Sequence, residues 1–478
     1  MRAAAAAATV VGPELVENHT FDEIAVGDTA RLSRTLKASD IALFAAMSGD
    51  ANPAHVDPQY AAHTRFHGVV AHGMWGAALI STVLGTDYPG AGTVYLGQTL
   101  RFERPVHIGD TLDVRVTVTA TDPSTHQVAF DCRCTNQRGE DTIVGNALVV
   151  APTEKLRLAR RPAMDVRLFD SLLRYRQLLA RTATLPAITV AVVHPCDEES
   201  LRGALDAAQI GLVVPVLVGP QAKIRAVALA AGIDIAPFRL VDAPHSHAAA
   251  ALAVGMAHRG EVQALMKGSL HTDELMHEVV REVDGLRTGR RISHVFVLDV
   301  PSYPRPLLIS DGAMNVTPDL AAKRDIVQNA IDLAHALGIG LPKVAILAAV
   351  ETVNPKMPST IDAAALCKMA DRGQITGAVL DGPLAFDNAI SAVAAARKGI
   401  ESPVAGQPDI LIAPDLEAGN MLAKQLQYLA DAQAGGLVMG ARVPIILTSR
   451  ADGAIARVAS CALALLVSQA AAAPVQPA

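Results

Sequence analysis

The stretch VVAHGMWGAALISTVLGT, residues 69–86, decides the fold of the front part of the chain. From His72 to Leu84 it is apolar on nearly every face and contains no Asp, Glu, Lys or Arg. A helix of this kind must be buried, so the sequence predicts a central helix wrapped by a sheet. Gly73 lies at its start, where free backbone N–H groups favour negative charge. The Gly73 N–H could therefore stabilise an oxyanion on a bound ligand; the alternative is that Gly73 only eases helix packing.

Alternating strands on both sides of this helix can supply the sheet. One follows the turn Gly27-Asp28, and four more are predicted at 93–102, 111–121, 128–136 and 143–150. Short helices are predicted at 38–47 and 58–63. Strands around one long buried helix describe an α+β hotdog domain.

The loop SGDANPAHVD, residues 48–57, carries the strongest chemical signal. Its glycine and proline restrict the backbone, so the loop has a defined shape. Such a loop can aim Asp50 and His55 at one bound water, as general acid–base catalysis requires. The alternative is that Asp50 caps the helix beginning near Pro58 and that His55 is an ordinary hydrogen-bonded polar residue.

The front part of the chain resembles a known family. The run from Phe44 through SGDANPAH to Ala61, the HGM at 72–74 and LRFERPVHIGDTL at 100–112 are similar to the MaoC-type (R)-specific enoyl-CoA hydratases. The resemblance covers roughly residues 15–152, and Ala54 departs from it because the family usually has a larger aliphatic residue there.

This resemblance implies an activity and its residues. Asp50 and His55 match the catalytic pair, the Gly73 N–H matches the donor that polarises the thioester, and Asn52 is expected to brace the loop. The implied product is an (R)-3-hydroxyacyl-CoA. Hotdog subunits generally pair, so a homo-oligomer formed through this domain is implied as well.

Residues 153–186 interrupt the pattern and are predicted to be a linker with a connecting helix from about Phe169 to Ala180. The segment is rich in arginine, and these side chains are expected to be solvated or to dock the two halves. Capture of CoA phosphates is the alternative role. The basic residues of the segment include Arg157, Arg160, Arg161, Arg167, Arg174, Arg176 and Arg181.

From Ile188 onward, short apolar strands alternate with helices, which predicts an α/β domain with a mostly parallel sheet covered on both faces. Ligands of such sheets bind beyond the carboxyl ends of the strands. The sequence contains no Walker loop and no Gly-x-Gly-x-x-Gly after the first strand, which disfavours ATP and dinucleotides. His245 and His247 could ligate a metal, but an exposed loop is the preferred interpretation.

Several segments of this second part, in order, resemble the phosphate acetyl/butyryltransferase family over about residues 187–468. They are MKGSLHT at 266–272, GLRTGRRISHVFVLDV at 285–300, AAVETVNPKMPST at 348–360, LDGPLAFDNAIS at 380–391 and GARVPIILTSRAD at 440–452. A missing acidic residue after ILTSRAD makes the sequence look closer to the butyryl branch. Two subdomains are expected.

The resemblance implies roles in acyl transfer to phosphate. Arginine side chains suit phosphate oxygens, which agrees with phosphate or CoA binding by Arg287 and Arg450. The matching serine, Ser449, is expected to stabilise the CoA thiolate, and Asp452 is a candidate base for the reverse direction. Thr288 and Asn354 are expected to bind substrate. For Ser449 and Arg450 alone, a helix cap beside a surface ion pair would be the alternative.

Composition limits the remaining possibilities. The 478 residues are too many for one core, and 41 basic against 47 acidic residues argue against a nucleic-acid surface. The apolar run 458–467 is too short to cross a bilayer and predicts a buried terminal helix rather than an anchor. The five cysteines form no paired framework, which suits the cytoplasm, and Cys132 and Cys134 are expected to pack rather than to bind zinc.

The sequence therefore predicts a bifunctional acyl-CoA enzyme with hydratase domain 15–152, linker 153–186 and transferase domain 187–468. Its substrates would be acyl-CoA and phosphate, with no organic cofactor and no metal. One alternative is a hydratase whose second domain only binds CoA or serves assembly. Another is a dehydratase-like front domain that prefers carrier-protein-linked substrates.

Overall fold

The computed structural model of the chain describes residues 15–159, 166, 168–170, 172–447 and 453–472. The chain divides into two compact units, residues 1–168 and 169–478. The strands of the first unit are β1 (Leu15–Glu17), β2 (Thr29–Thr35), β3 (Val94–Phe102), β4 (Thr111–Asp122), β5 (Gln127–Thr135), β6 (Asp141–Val150) and β7 (Arg157–Ala159). Its α-helices are α1 (Ala38–Ser48), α2 (Pro53–Val56), α3 (Pro58–Ala62) and α4 (Gly73–Thr82).

Helix α4 is the centre of the first unit. A five-stranded antiparallel sheet in the order β2-β4-β5-β6-β3 packs against it. Leu79 and Ile80 of the helix are buried with Val114, Val116 and Phe130 of the sheet. This is the predicted hotdog fold, and the predicted strands and helices of the front part are present within a few residues.

Close approach of α4 to the sheet depends on Gly76. A Cβ atom at this position would lie 2.4 Å from Cδ1 of Ile143, so a larger residue would require the Ile143 side chain or the helix to shift. After Thr82 the chain continues into a π-helical turn, Val83–Asp87. The central helix predicted from the apolar run is thus confirmed.

The second unit contains eleven strands and eleven helices among its described residues. The strands are β8 (Ile188–Val193), β9 (Val213–Gly219), β10 (Arg239–Asp242), β11 (Ala264–Lys267), β12 (Ser293–Asp299), β13 (Leu307–Ser310), β14 (Lys343–Leu347), β15 (Val379–Leu384), β16 (Ile410–Ile412), β17 (Gln433–Met439) and β18 (Ile445–Ile446). The helices are α5 (Leu173–Thr182), α6 (Glu198–Gln209), α7 (Gln221–Ala230), α8 (Ser246–His258), α9 (Thr272–Val279), α10 (Leu320–Ala336), α11 (Pro358–Asp371), α12 (Phe386–Ile390), α13 (Ala392–Arg397), α14 (Leu416–Leu429) and α15 (Ala454–Ala472).

One continuous sheet joins all of these strands in the order β10-β9-β8-β11-β18-β17-β12-β13-β16-β14-β15. The pairs β18–β17, β17–β12 and β12–β13 are antiparallel, and the other neighbours are parallel. The predicted mostly parallel sheet is confirmed. Because its strands are covered by helices on both faces, they are short and almost continuously apolar.

Helix α15 closes this domain and matches the predicted buried terminal helix. Within the described residues it alone is long and apolar enough to cross a membrane, and 56% of that span is buried inside the protein. The Ser460 hydroxyl accepts a hydrogen bond from the Gly436 N–H of β17 at 3.0 Å. Contacts of this kind are those of a core helix.

The connecting helix begins at Leu173, later than the predicted Phe169, because the Asp170 carboxylate accepts the Leu172 N–H at 3.1 Å in a preceding turn. Arg174 of this helix forms an ion pair with Asp299 at 2.5 Å. Arg174 therefore docks the connecting helix against other residues of the second unit. Of the other linker arginines, 160, 161 and 167 lie outside the described residues.

Candidate active sites

Local sequence gives the loop between α1 and α2 its shape. Helix α1 ends at Gly49, whose φ of 76° is left-handed and favours glycine. Asn52 has an extended conformation, as its position before a proline predicts, and its side-chain oxygen accepts the Ala54 N–H at 3.0 Å. Asn52 therefore caps α2 and braces the loop.

Asp50 does not cap the helix that begins at Pro58. The Asp57 carboxylate performs that role, accepting the N–H groups of Gln59 and Tyr60 at 2.9 and 3.0 Å. Asp50 Oδ1 accepts only the Asn52 N–H, at 3.2 Å, and no bond to Oδ2 is present among the described residues. One carboxylate oxygen is thus available to a ligand.

His55 has a defined tautomer. Its Nδ1 lies 2.8 Å from the Val70 carbonyl oxygen, which can only accept, so Nδ1 carries a proton. In the neutral ring, Nε2 is then the bare nitrogen and can take a proton. One carboxylate oxygen of Asp50 and one ring nitrogen each of His55 and of a third residue, His72, lie within 4.8 Å of one another.

Sequence reasoning missed His72. Its ring is 3% exposed and stacks on that of His55, with centroids 4.0 Å apart and an interplanar angle of 33°. Its Nε2 lies 2.9 Å from the Asp50 carbonyl oxygen. The only available signal was its place next to Gly73 at the start of the buried helix.

Asp50, His55 and His72 offer ligand atoms that lie close enough together to hold a metal ion. The sequence predicts no metal at this site, and this stays a prediction. The same three side chains are also suited to proton transfer.

The start of α4 provides hydrogen-bond donors. His72 is the residue before the helix, yet its side chain does not cap it. In the described part of the chain, the Gly73 N–H has no acceptor, and Gly73 itself is exposed. A Cβ atom at position 73 would lie 3.0 Å from the Phe102 ring. Glycine therefore leaves space beside a free N–H group at the positive end of a helix dipole.

The second unit fixes the loop that contains Arg287 and Thr288. The Thr288 hydroxyl donates to the Gly440 carbonyl at 2.6 Å, and Arg287 forms an isolated bridge with Ala441. The Arg287 side chain is 56% exposed, and its ion pair among the described residues is with the exposed Glu282, at 3.7 Å. Its guanidinium group is therefore accessible to an anion. The loop lies against the hairpin between β17 and β18.

The structure brings together only part of the predicted transferase site. Ser449, Arg450 and Asp452 lie outside the described residues. Asn354 follows β14, where its side-chain oxygen accepts the Lys356 N–H at 2.9 Å. Within the described ranges, no hydrogen bond joins Asn354 to the Arg287 loop.

A polar cluster near Asn354 was not assigned from the sequence. Lys398 lies 3.1 Å from an Asp387 oxygen and 3.2 Å from a Glu351 oxygen, and these carboxylates raise its pKa. The buried Asn388 donates to Glu351 at 3.3 Å, and its side-chain oxygen is buried without a partner. The motif LDGPLAFDNAIS was the available signal for two of these residues.

The remaining metal candidates have structural roles. His245 caps α8 by accepting the Ala248 N–H at 3.2 Å, and His247 lies 3.6 Å from Glu274. Cys132 and Cys134 are buried on β5, and burial raises the pKa of each thiol to about 12. Neither pair therefore presents the convergent, deprotonated donors that a zinc site needs.

The fold and sites define a two-domain protein in which a MaoC-like hotdog domain precedes a phosphotransacylase-type α/β domain. The protein-family model of the MaoC like domain matches residues 24–135 of the sequence. The family model described as phosphate acetyl/butaryl transferase matches residues 245–465. The chain belongs to the phosphate acetyl/butyryltransferase family.

Individual relatives support this membership. The chain is 64% identical over 291 residues to the phosphate acetyltransferase of Rhizobium meliloti, covering 61% of this chain and 92% of that protein. It is 42% identical over 294 residues to the phosphate butyryltransferase of Clostridium acetobutylicum, covering 62% and 98%. A branched-chain phosphotransacylase structure from Enterococcus faecalis V583 has 30% identity and a TM-score of 0.52, covering 59% of this chain and 99% of that one. The identity to this acetyltransferase is higher than the identity to this butyryltransferase.

Proposed function

We propose that the chain carries two acyl-CoA activities, one in each domain. The front domain adds water across trans-2-enoyl-CoA to give (R)-3-hydroxyacyl-CoA, and the rear domain transfers a short acyl group between CoA and inorganic phosphate. The single observation that carries the first activity is the proximity of Asp50, in the loop after α1, to His55, in the short helix α2. Family membership and the exposed Arg287 support the second. Neither reaction needs an organic cofactor.

In the front site, the bare Nε2 of His55 and the free oxygen of Asp50 are suited to hold and deprotonate one water molecule. The water oxygen bonds to C3 of the substrate, and the proton it releases passes to C2. Negative charge meanwhile develops on the thioester oxygen. The unbonded N–H of Gly73, at the start of α4, can stabilise that charge.

The test of the front activity is the loss of enoyl absorbance when the purified protein meets crotonyl-CoA. Asp50→Asn should lower kcat about 10²–10⁴-fold, because the carboxylate can no longer accept a proton. Asp57→Asn is the matched control, because asparagine also caps helices well. Equal rates for the two variants would remove Asp50 from the site.

In the rear site, a phosphate oxygen attacks the thioester carbonyl and the CoA thiolate leaves. Cations must hold the phosphate, and the guanidinium of Arg287, which is 56% exposed and has only a long, exposed ion pair with Glu282 among the described residues, is suited to do so. Arg450 is proposed as the second cation, Ser449 as the donor to the thiolate, and Asp452 as the base that accepts the CoA thiol proton in reverse. Thr288 holds the loop, and Asn354 is proposed to contact the substrate from the loop after β14.

The test of the rear activity is thiol release from acetyl-CoA and, separately, from butyryl-CoA in the presence of phosphate. The identities lead us to expect faster release from acetyl-CoA. Arg287→Ala and Arg450→Ala should raise the KM for phosphate at least tenfold, whereas Arg281→Ala, which removes an exposed pair with Glu278, should not. CoA binding without acyl-phosphate formation would instead identify a binding module.

The front domain is proposed to pair with a second copy through β3. This strand is nine residues long and lies at the edge of the sheet, where no strand of the described part of the chain pairs with its outer backbone groups. Val94, Leu96 and Phe102 are 56%, 48% and 52% exposed. Pairing would bury these apolar side chains.

A further inference from the structure

We propose that His72 is a positioning residue of the hydration site, which tethers the backbone of Asp50 and fixes the ring plane of His55. The inference rests on the proposed hydratase function of the front domain. It follows from one hydrogen bond, one ring stack and one unpartnered nitrogen.

The tether is the contact between His72 and the loop. A carbonyl oxygen can only accept, so the 2.9 Å contact to the Asp50 oxygen places a proton on Nε2 of His72. The donor comes from the residue that precedes α4, in the middle of the domain core. The Asp50 backbone is thereby held by the residue that precedes the central helix.

The stack restricts His55. The His72 ring contacts two other rings, that of Phe44 with centroids 4.9 Å apart and that of His55 with centroids 4.0 Å apart. The hydrogen bond to Val70 restrains one edge of the His55 ring, and the stack restrains its plane. Together they leave Nε2 of His55 with one direction relative to the Asp50 carboxylate.

The unpartnered nitrogen shows that His72 is not present merely to satisfy a core hydrogen bond. With the proton on Nε2, the other nitrogen of the neutral ring is bare, and Nδ1 is buried with no partner among the described residues. A buried polar atom without a partner is unfavourable for folding. The contact that His72 makes with the loop is therefore a single donated hydrogen bond, from its Nε2 to the Asp50 carbonyl oxygen.

Two substitutions separate the tether from the stack. His72→Phe keeps an aromatic ring in contact with Phe44 and His55 but loses the donor. His72→Gln keeps a donor but loses the ring. We expect each to lower kcat about 10–100-fold with the KM for crotonyl-CoA changed less than about threefold, because the loss is one of alignment rather than of binding. His72→Ala should lose at least as much as the worse of the two.

The matched control is Leu79→Ala, a core truncation further along the same helix. It should lower the melting temperature of the front domain and leave kcat per folded protein unchanged, because Leu79 contacts the sheet and not the loop. If the His72 variants behave like Leu79→Ala, with normal kcat, His72 is only a structural residue and the proposal is overturned.

Absence of crotonyl-CoA hydration by the unmodified protein would refute the proposed activity rather than this inference. Crystal structures of the unmodified protein and of His72→Ala then decide the positioning claim by themselves. A displaced Asp50 carbonyl and a rotated His55 ring in the variant would support it. An unchanged loop and ring would overturn it.

Discussion

Substitution of Gly73 by alanine tests whether the start of α4 takes part in hydration. A methyl group there would lie 3.0, 3.1 and 3.3 Å from three atoms of the Phe102 ring. Carbon atoms prefer separations of roughly 3.5–4.0 Å, so ring and helix must separate by about 0.5 Å or more. The methyl group would also occupy space beside the N–H that the thioester oxygen is proposed to approach.

The cost should appear in catalysis and hardly at all in stability. The backbone at Gly73 is not left-handed, and alanine is a better helix former than glycine. The Phe102 ring is 52% exposed and can move outward. A misplacement of about 1 Å at a reacting centre can cost about 100-fold, so we expect kcat/KM for crotonyl-CoA to fall about 10–100-fold.

The assay combines initial rates of enoyl absorbance loss with thermal unfolding of the same preparations. Gly85→Ala is the matched control, because a Cβ there meets no atom within 4 Å and its backbone is likewise not left-handed. It should change neither rate nor stability. If Gly73→Ala retains kcat/KM within about threefold of the unmodified protein, no substrate oxygen approaches this N–H, and the oxyanion role is refuted.

Three further outcomes are expected. Leu96→Lys should shift the protein to a smaller species in size-exclusion chromatography, because it places charge on the proposed pairing edge; an unchanged elution volume would argue against pairing through β3. Asp28 accepts hydrogen bonds from a backbone N–H and the Tyr88 hydroxyl, which hold its pKa below the usual value. The stability that this carboxylate contributes is therefore present above about pH 4 and is lost as the pH falls through the lowered pKa. Asp28→Asn should accordingly make the melting temperature fall less steeply at acid pH. Arg174→Ala should destabilise the rear domain by about 3 kcal/mol in urea unfolding, because it leaves the mostly buried Asp299 unpaired; no change would contradict this docking role.

Much of the fold was predictable because its signals are local. The uncharged run around Ile80 can only be a buried helix, and alternation along β4 and β5 assigns one face of each strand to the core. The proximity of Asp50 and His55 was predictable for the same reason, since both belong to one short segment shaped by its own glycine and proline. The function that family motifs imply could be stated before any geometry.

What the sequence could not supply are contacts between segments. The hydrogen bond from His72 to Asp50 joins side chain and backbone across two helices, and no spacing rule predicts it. The same limit applies to Asn354, whose motif is typical of the transferase family although its side chain completes a turn beside Lys356. The helix boundary at Leu173 also depends on one hydrogen bond that the Asp170 carboxylate accepts from the Leu172 N–H.

The start of α4 departs from the local rules of helix formation in a way that the proposed hydratase function explains. Serine, threonine or aspartate before Gly73 would accept an N–H of the first turn and stabilise the helix by about 1 kcal/mol. His72 makes no such bond and has an unpartnered nitrogen as well. Sites where several local preferences are violated together are expected to be functional. A capping side chain would compete with a thioester oxygen for the same donors, whereas His72 leaves them free and uses its own donor to hold Asp50.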